Sequence, residues 1–156
     1  MNCSGLGAKE LCNDRQLVPV RGQVIKVRAP WIKTAFYGDY DTYIVPGFDT
    51  VTLGGCRQLE SFNMNVCKYD SMAIKERCYN MLPSLKTAKI ERELVGLRPH
   101  RAVVRVESEI LRGSNGRSVK VVHNYGHGGY GVTTAPGTAK YAVKLARDLL
   151  LGNSKL

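Results

Sequence analysis

No CxxC pair, no internal repeat and no apolar run near the ~20 residues that span a bilayer occurs in this 156-residue sequence. The five cysteines (Cys3, Cys12, Cys56, Cys67 and Cys78) are odd in number and singly placed. That argues against a zinc site and a disulfide framework, and for a reducing compartment. The N-terminus "MNCSGLGAKE" lacks the basic-then-apolar order of a secretory signal. A basic arm is missing too, as is any interleaving of aromatic with basic residues, although the net charge is +10. Lys and Arg are scattered, so the charge reads as solvated surface and not as a nucleic-acid footprint. Neither a metal nor a membrane partner is expected.

What is present is enough apolar residue (44%) for one ordinary domain with a core, and glycine concentrated in one place. "VVHNYGHGGYGVTTAPG", Val121 to Gly137, holds five glycines and two histidines just before an amphipathic run. Bare backbone lets a ligand come close, and a helix start adds unpaired N–H donors and a positive dipole end. The stretch reads either as a seat for an anionic or electron-rich group or as a tight strand–turn–helix link. The chain ends Ser154-Lys155-Leu156, a peroxisomal address read by an import receptor, with Gly152 and Asn153 placed to end the preceding helix.

Periodicity supplies the layout. Gln16–Pro30 is β-rich, with Ile25 and Val27 alternating against Lys26 and Arg28. "TYIVPG" (42–47) and "TVTLGG" (50–55) read as a hairpin. "YDSMAIKERCYNMLPSL" reads as a helix N-capped by Asp70 or Ser71, with Ala73, Ile74, Cys78 and Met81 on one face and a stop at Pro83. "RAVVRVESEI" and "VKVVHNY" form another antiparallel pair around "RGSNGR". A final helix is expected from about Thr134, as its cap, to Leu151, with Pro136 in its first turn. Its buried face would be Ala139, Ala142, Val143, Ala146, Leu149 and Leu150. This is α/β with α+β character. "MNCSGLGAKEL" looks like a strand's end entering a helix, so the chain is expected to be cut from a larger protein.

In order, "RGQVIKVRAPW", "YIVPG", "VTLGG", "VGLRPHR", "VRVE" and "VVHNYGHGGYG" resemble the C-terminal half of the D-amino-acid oxidases, including the D-aspartate oxidases. "NCSGLGAKEL" resembles that family's Asn-Cys-Ser/Thr-Gly turn. The resemblance implies a partial two-domain flavoprotein oxidase. Residues 1–24 would be a remnant of the FAD-binding domain, 25–100 an antiparallel-sheet substrate domain, and 101–156 the return to the FAD-binding domain. The family's N-terminal GxGxxG unit is not in this sequence; "GHGGYG" has that spacing but no second strand follows it. The implied reaction is oxidation of a D-amino acid by FAD and O2 to a 2-oxo acid, ammonia and hydrogen peroxide, in the peroxisome.

By the same resemblance, Gly128, Gly129, Tyr130, Gly131, Val132 and Thr133 lie against the flavin, with Ser4 as a further cofactor contact. Arg98 matches the arginine that clamps the substrate α-carboxylate, and Tyr43 the tyrosine that supports it; these two are the expected catalytic pair. Gly129 gives its carbonyl to the substrate amine. Arg57 matches an arginine of the D-aspartate branch that holds an acidic side chain. The second lid arginine of that branch is replaced near Phe36, so the lean toward acidic substrates is slight. His123 and His127 are given structural roles. Two other readings stay open: a non-catalytic fragment that does not hold FAD, and a basic interaction module.

Overall fold

The computed structural model describes residues 1–152, so the Ser154-Lys155-Leu156 address lies outside the described residues. The chain forms two compact units, one of Met1–Pro19 with the chain from Arg98 onward, the other of Val20–Leu97.

In the second unit, β1 (Val18–Arg28) pairs antiparallel with β4 (Val51–Gly54), from Val24 opposite Gly54 to Val27 opposite Val51. Strands β2 (Phe36–Tyr37) and β3 (Tyr43–Pro46) extend the sheet in the order β2-β3-β4-β1, with β6 (Lys89–Arg112) on the other side of β1, while β5 (Gln58–Leu59) also pairs with β1. The expected alternation holds: Ile25 and Val27 are fully buried and join Ile44, Leu53, Ile74, Cys78 and Leu85 in one core cluster. Burial pushes the Cys78 thiol up to about 11.

The helix α2 runs over Lys68–Met81, and Cys67 stands at its N-cap without a side-chain cap bond. Asp70 and Ser71 therefore do not cap it. Both are drawn to buried partners on β1: Asp70 accepts from Arg21 Nη1 at 2.7 Å, and Ser71 Oγ accepts from Gln23 Nε2 at 2.7 Å. Arg21, only 1% exposed, also donates to the carbonyls of Asn63 and Asn65, each at 2.7 Å. A charge so deep is tolerated only with this many partners.

The first unit opens with a turn into the short α1 (Ala8–Leu11). It continues with β6 (Lys89–Arg112) from Arg98 on, then β7 (Ser118–His127) and α3 (Gly131–Leu151). β6 and β7 pair antiparallel, with an irregularity between His100 and Arg105, and close through the Gly113 N–H donating to the Arg117 carbonyl at 2.8 Å. Gly152 ends α3 in the left-handed region (φ +74°), as expected for a helix-stopping glycine.

Two expectations for α3 are corrected. It starts at Gly131 with Tyr130 at the N-cap, and Thr134 sits inside it, donating back to the Tyr130 carbonyl at 2.9 Å. Its buried face is narrower than expected: Ala142 and Leu149 pack with Val122, flanked by Leu145 and Ala146. Ala139, Val143 (46% exposed) and Leu150 (80%) point away, because β7 covers only the stripe spaced 142, 145, 146, 149.

A polar node joins the start of this unit to its hairpin. The buried Asp14 carboxylate accepts from the Tyr125 hydroxyl at 2.8 Å, Arg101 Nε at 3.0 Å and the Gln16 N–H at 3.1 Å. Burial pushes its carboxyl up, but these three donors outweigh burial and hold it below the ordinary 3.8. Its contribution to stability is thus complete above about pH 4 and lost as pH falls through the depressed value. Asp14→Asn should destabilise the chain at neutral pH by about 3 kcal/mol and flatten the acid limb of its stability profile. Urea melts from pH 2 to 7 read both, and an unchanged acid limb would remove Asp14 from this role.

Candidate functional site

In the first unit β7 ends at His127, and a single 3-10 turn, Gly128–Tyr130, leads straight into α3. Gly126 (φ +92°) and Gly128 (φ +56°) occupy backbone conformations that favour glycine. A Cβ on Gly128 would sit 3.2 Å from His100 Nδ1, and one on Gly126 only 2.7 Å from the Arg101 Cβ. The glycines are therefore demanded by the close passage of β6 as well as by the turn.

That passage also brings together two residues singled out from the sequence. Arg98, half-buried on β6, lies so close that a Cβ on Gly129 would stand 3.2 Å from its Cδ and 3.5 Å from its Nε. Gly129 lets the arginine stem lie along the bare backbone, which fixes where the guanidinium emerges. Beyond it, Tyr130, Val132 and Thr133 are exposed, Val132 at 93%. No side chain caps α3, and its first turn carries no acidic residue, so neither competes with an anion for its N–H groups and dipole end. Immediately before the turn, His127 Nε2 is buried and has no hydrogen-bond partner among the described residues; Asn124 Oδ1 is in the same position.

Ser4 stands on the opening turn. Its N–H and hydroxyl both donate to Asn2 Oδ1, at 3.1 and 2.7 Å. Gly5 (φ +57°) faces Pro99, the residue after Arg98, whose Cγ would be 3.8 Å from a Cβ on Gly5. The Asn-Cys-Ser-Gly turn and the "LRPH" segment are thus neighbours.

Tyr43 and Arg57 belong to the second unit. Tyr43 pairs with Gly54 across β3 and β4, and its ring covers Gly54 so closely that a Cβ there would overlap it. A Cβ on Gly55 would lie 3.0 Å from the Tyr43 hydroxyl. The two glycines of "LGG" are spaces for this ring. Arg57 is 59% exposed and pairs with Asp41 at 2.6 Å, bracing the turn before Tyr43.

Arg77 was not foreseen. From α2 it donates to the Gly55 carbonyl at 2.6 Å and to Thr42 Oγ1 at 3.0 Å, holding both strand ends beside Tyr43. The available signal was its position next to Cys78 and three after Ile74, on the helix face that packs on the sheet.

For a flavin, the residues present fit. The glycine turn is bare backbone pressed against His100 and Arg98, it opens a helix without a side-chain cap bond, and a buried imidazole nitrogen without a partner among the described residues immediately precedes it.

Comparison with known proteins agrees. Residues 1–145 match the family model described as FAD dependent oxidoreductase. A human D-aspartate oxidase is 44% identical over 149 residues, which are 95% of this chain and 43% of that protein. A D-amino acid oxidase of Dugesia ryukyuensis is 42% identical, over 97% of this chain and 46% of that one. Among solved structures, glycine oxidase from Bacillus cereus superposes over 98% of this chain and 42% of its own, with a TM-score of 0.78 at 24% identity. The chain thus spans less than half the length of the curated relatives it matches. From its opening turn through the glycine run and most of α3, it belongs to the FAD dependent oxidoreductase family.

Proposed function

We propose that the protein carrying this chain oxidises a D-amino acid, with Gly128–Thr133 as its flavin seat and Arg98 as its carboxylate clamp. The observation that carries this reading is Arg98 packed on the bare Gly129 backbone at the start of an uncapped helix. FAD, when bound, supplies the acceptor for the hydride leaving the substrate Cα and is reoxidised by O2, so a 2-oxo acid, ammonia and hydrogen peroxide result.

The chain's own part is binding and orientation. The planar guanidinium of Arg98 offers two parallel hydrogen bonds to the substrate carboxylate, and the family resemblance assigns the Tyr43 hydroxyl to the support of the same group. The Gly129 carbonyl accepts from the amine. The first N–H groups of α3, beside Gly131, Val132 and Thr133, would hold the flavin and stabilise the negative charge it gains on reduction. Ser4 and Tyr130 complete the cofactor contacts. The C-terminal Ser154-Lys155-Leu156 supports delivery to the peroxisome by its import receptor.

The clamp is tested in the FAD-loaded protein, with this chain joined to an N-terminal half of the kind its relatives carry. Arg98→Ala and Arg98→Lys should each lower peroxide production at saturating D-aspartate by about a hundredfold or more, since a point charge cannot reproduce the paired geometry. Near-normal rates in the lysine variant would reject the assignment.

The preferred substrate in this reading is an acidic D-amino acid. Arg57 supports it: the side chain is exposed and, among the described residues, pairs with Asp41 through Nη2, so a second carboxylate has room to bind its outer edge. Arg57→Leu should lower kcat/KM for D-aspartate by roughly ten- to a hundredfold while leaving D-alanine turnover in place. A uniform loss on both would mean that Arg57 only braces the Asp41 turn.

A further inference from the structure

The oxidase reading uses none of the five thiols, yet one of them is built into a catalytic-looking cluster. Asn2, Cys12, Glu109 and His123 meet in the first unit although they are far apart in sequence. Asn2 is oriented unambiguously, because its Oδ1 accepts both the N–H and the hydroxyl of Ser4. Its amide Nδ2 therefore faces His123 Nδ1 at 3.1 Å and Cys12 Sγ at 3.0 Å. Since an NH2 group can only donate, His123 presents an unprotonated Nδ1 and carries its hydrogen on Nε2, which donates to Glu109 Oε2 at 3.0 Å. The same carboxylate oxygen is held by Arg105 Nη2 at 3.0 Å.

Cys12 Sγ lies 3.9 Å from His123 Nδ1, whose lone pair accepts from the Asn2 amide in the resting arrangement. A thiol, an imidazole base within reach and a carboxylate orienting that base are the three parts of an activated cysteine nucleophile. Here the Asn2 amide also donates directly to the sulfur. The imidazole is 1% exposed, whereas Cys12 is only partly buried. Cys3 is exposed but stands outside the cluster, and Cys78 is buried with its thiol pushed up by desolvation.

We propose that Cys12 is a peroxide-reactive thiol activated by His123 and Glu109. The Asn2 amide releases His123 Nδ1 while keeping its bond to the sulfur, and the thiol proton passes to the freed nitrogen. The sulfur attacks one oxygen of hydrogen peroxide and the O–O bond breaks. The departing hydroxide takes the proton from His123 and leaves as water. The sum is Cys12–SH + H2O2 → Cys12–SOH + H2O, with sulfur oxidised by two electrons and peroxide reduced by two. Oxidation disturbs the Asn2 amide, and through it the two bonds that hold Ser4 on the opening turn. The reaction does not rest on the proposed oxidase activity, because the peroxide is supplied from outside.

The test exposes the full 156-residue chain to hydrogen peroxide in the presence of dimedone and measures labelling at each cysteine by mass spectrometry. Cys12 should label about tenfold or more faster than the more exposed Cys3. Glu109→Gln and His123→Gln should bring Cys12 down to the Cys3 rate while Cys3 itself is unchanged. Glu109 is 40% exposed on its side chain, so its variant keeps the test sound if loss of the buried His123 unfolds the unit. Cys12 labelling no faster than Cys3, or a Cys12 rate unmoved by Glu109→Gln, would overturn the proposal.

Discussion

The Asp14 carboxylate is the constraint on which the first unit depends. It is the one buried acid among the described residues, and its position forces three separate segments to supply donors: Gln16 beside it, Arg101 on β6 and Tyr125 on β7. Tyr125 in turn accepts from Arg105 at 2.8 Å, and Arg105 reaches Glu107 and Glu109. Desolvation pushes the Tyr125 hydroxyl up, so it remains a neutral donor to Asp14 at physiological pH. Buried polar groups of this kind add little net energy when complete and cost much when broken. Their effect is to permit one register. With β6 and β7 tied to the segment after α1, Pro99 meets Gly5, and Arg98 meets Gly129.

The site is then a consequence of close backbone passage. Where β6 and the glycine turn approach, every Cβ that would intervene has been removed, at Gly126, Gly128 and Gly129. The second unit repeats the device at Gly54 and Gly55, where the space is filled by the Tyr43 ring. In both units glycine gives up intrinsic stability; the Arg101 stem lies against Gly126 in one, and Arg77 holds the Gly55 carbonyl in the other.

Much of this was legible in the sequence. The alternation about Ile25 and Val27, the apolar face of α2 and the glycine-rich start of α3 were readable because each depends on a local period or turn chemistry. The cap of α2 was misread because Asp70 and Ser71 are ordinary capping residues whose side chains are claimed by Arg21 and Gln23, far away in the chain. The breadth of α3's buried face was overestimated because apolar residues at Val143 and Leu150 carry no mark of what β7 fails to cover. In the site, the glycine run announced itself, and family resemblance singled out Arg98; their contact is visible only in three dimensions. The link of Asn2 to His123, 121 residues away, had no sequence signal at all.

The proposed function places a seat for the flavin ring on the glycine turn, in a chain that spans less than half the length of its relatives. FAD titration followed by gel filtration tests it most directly, with visible flavin absorbance read in the protein peak. The chain alone should emerge without flavin, and the chain joined to a GxGxxG-bearing N-terminal half should retain it in stoichiometric amount. Stoichiometric FAD on the chain alone, or none on the joined protein, would contradict the account.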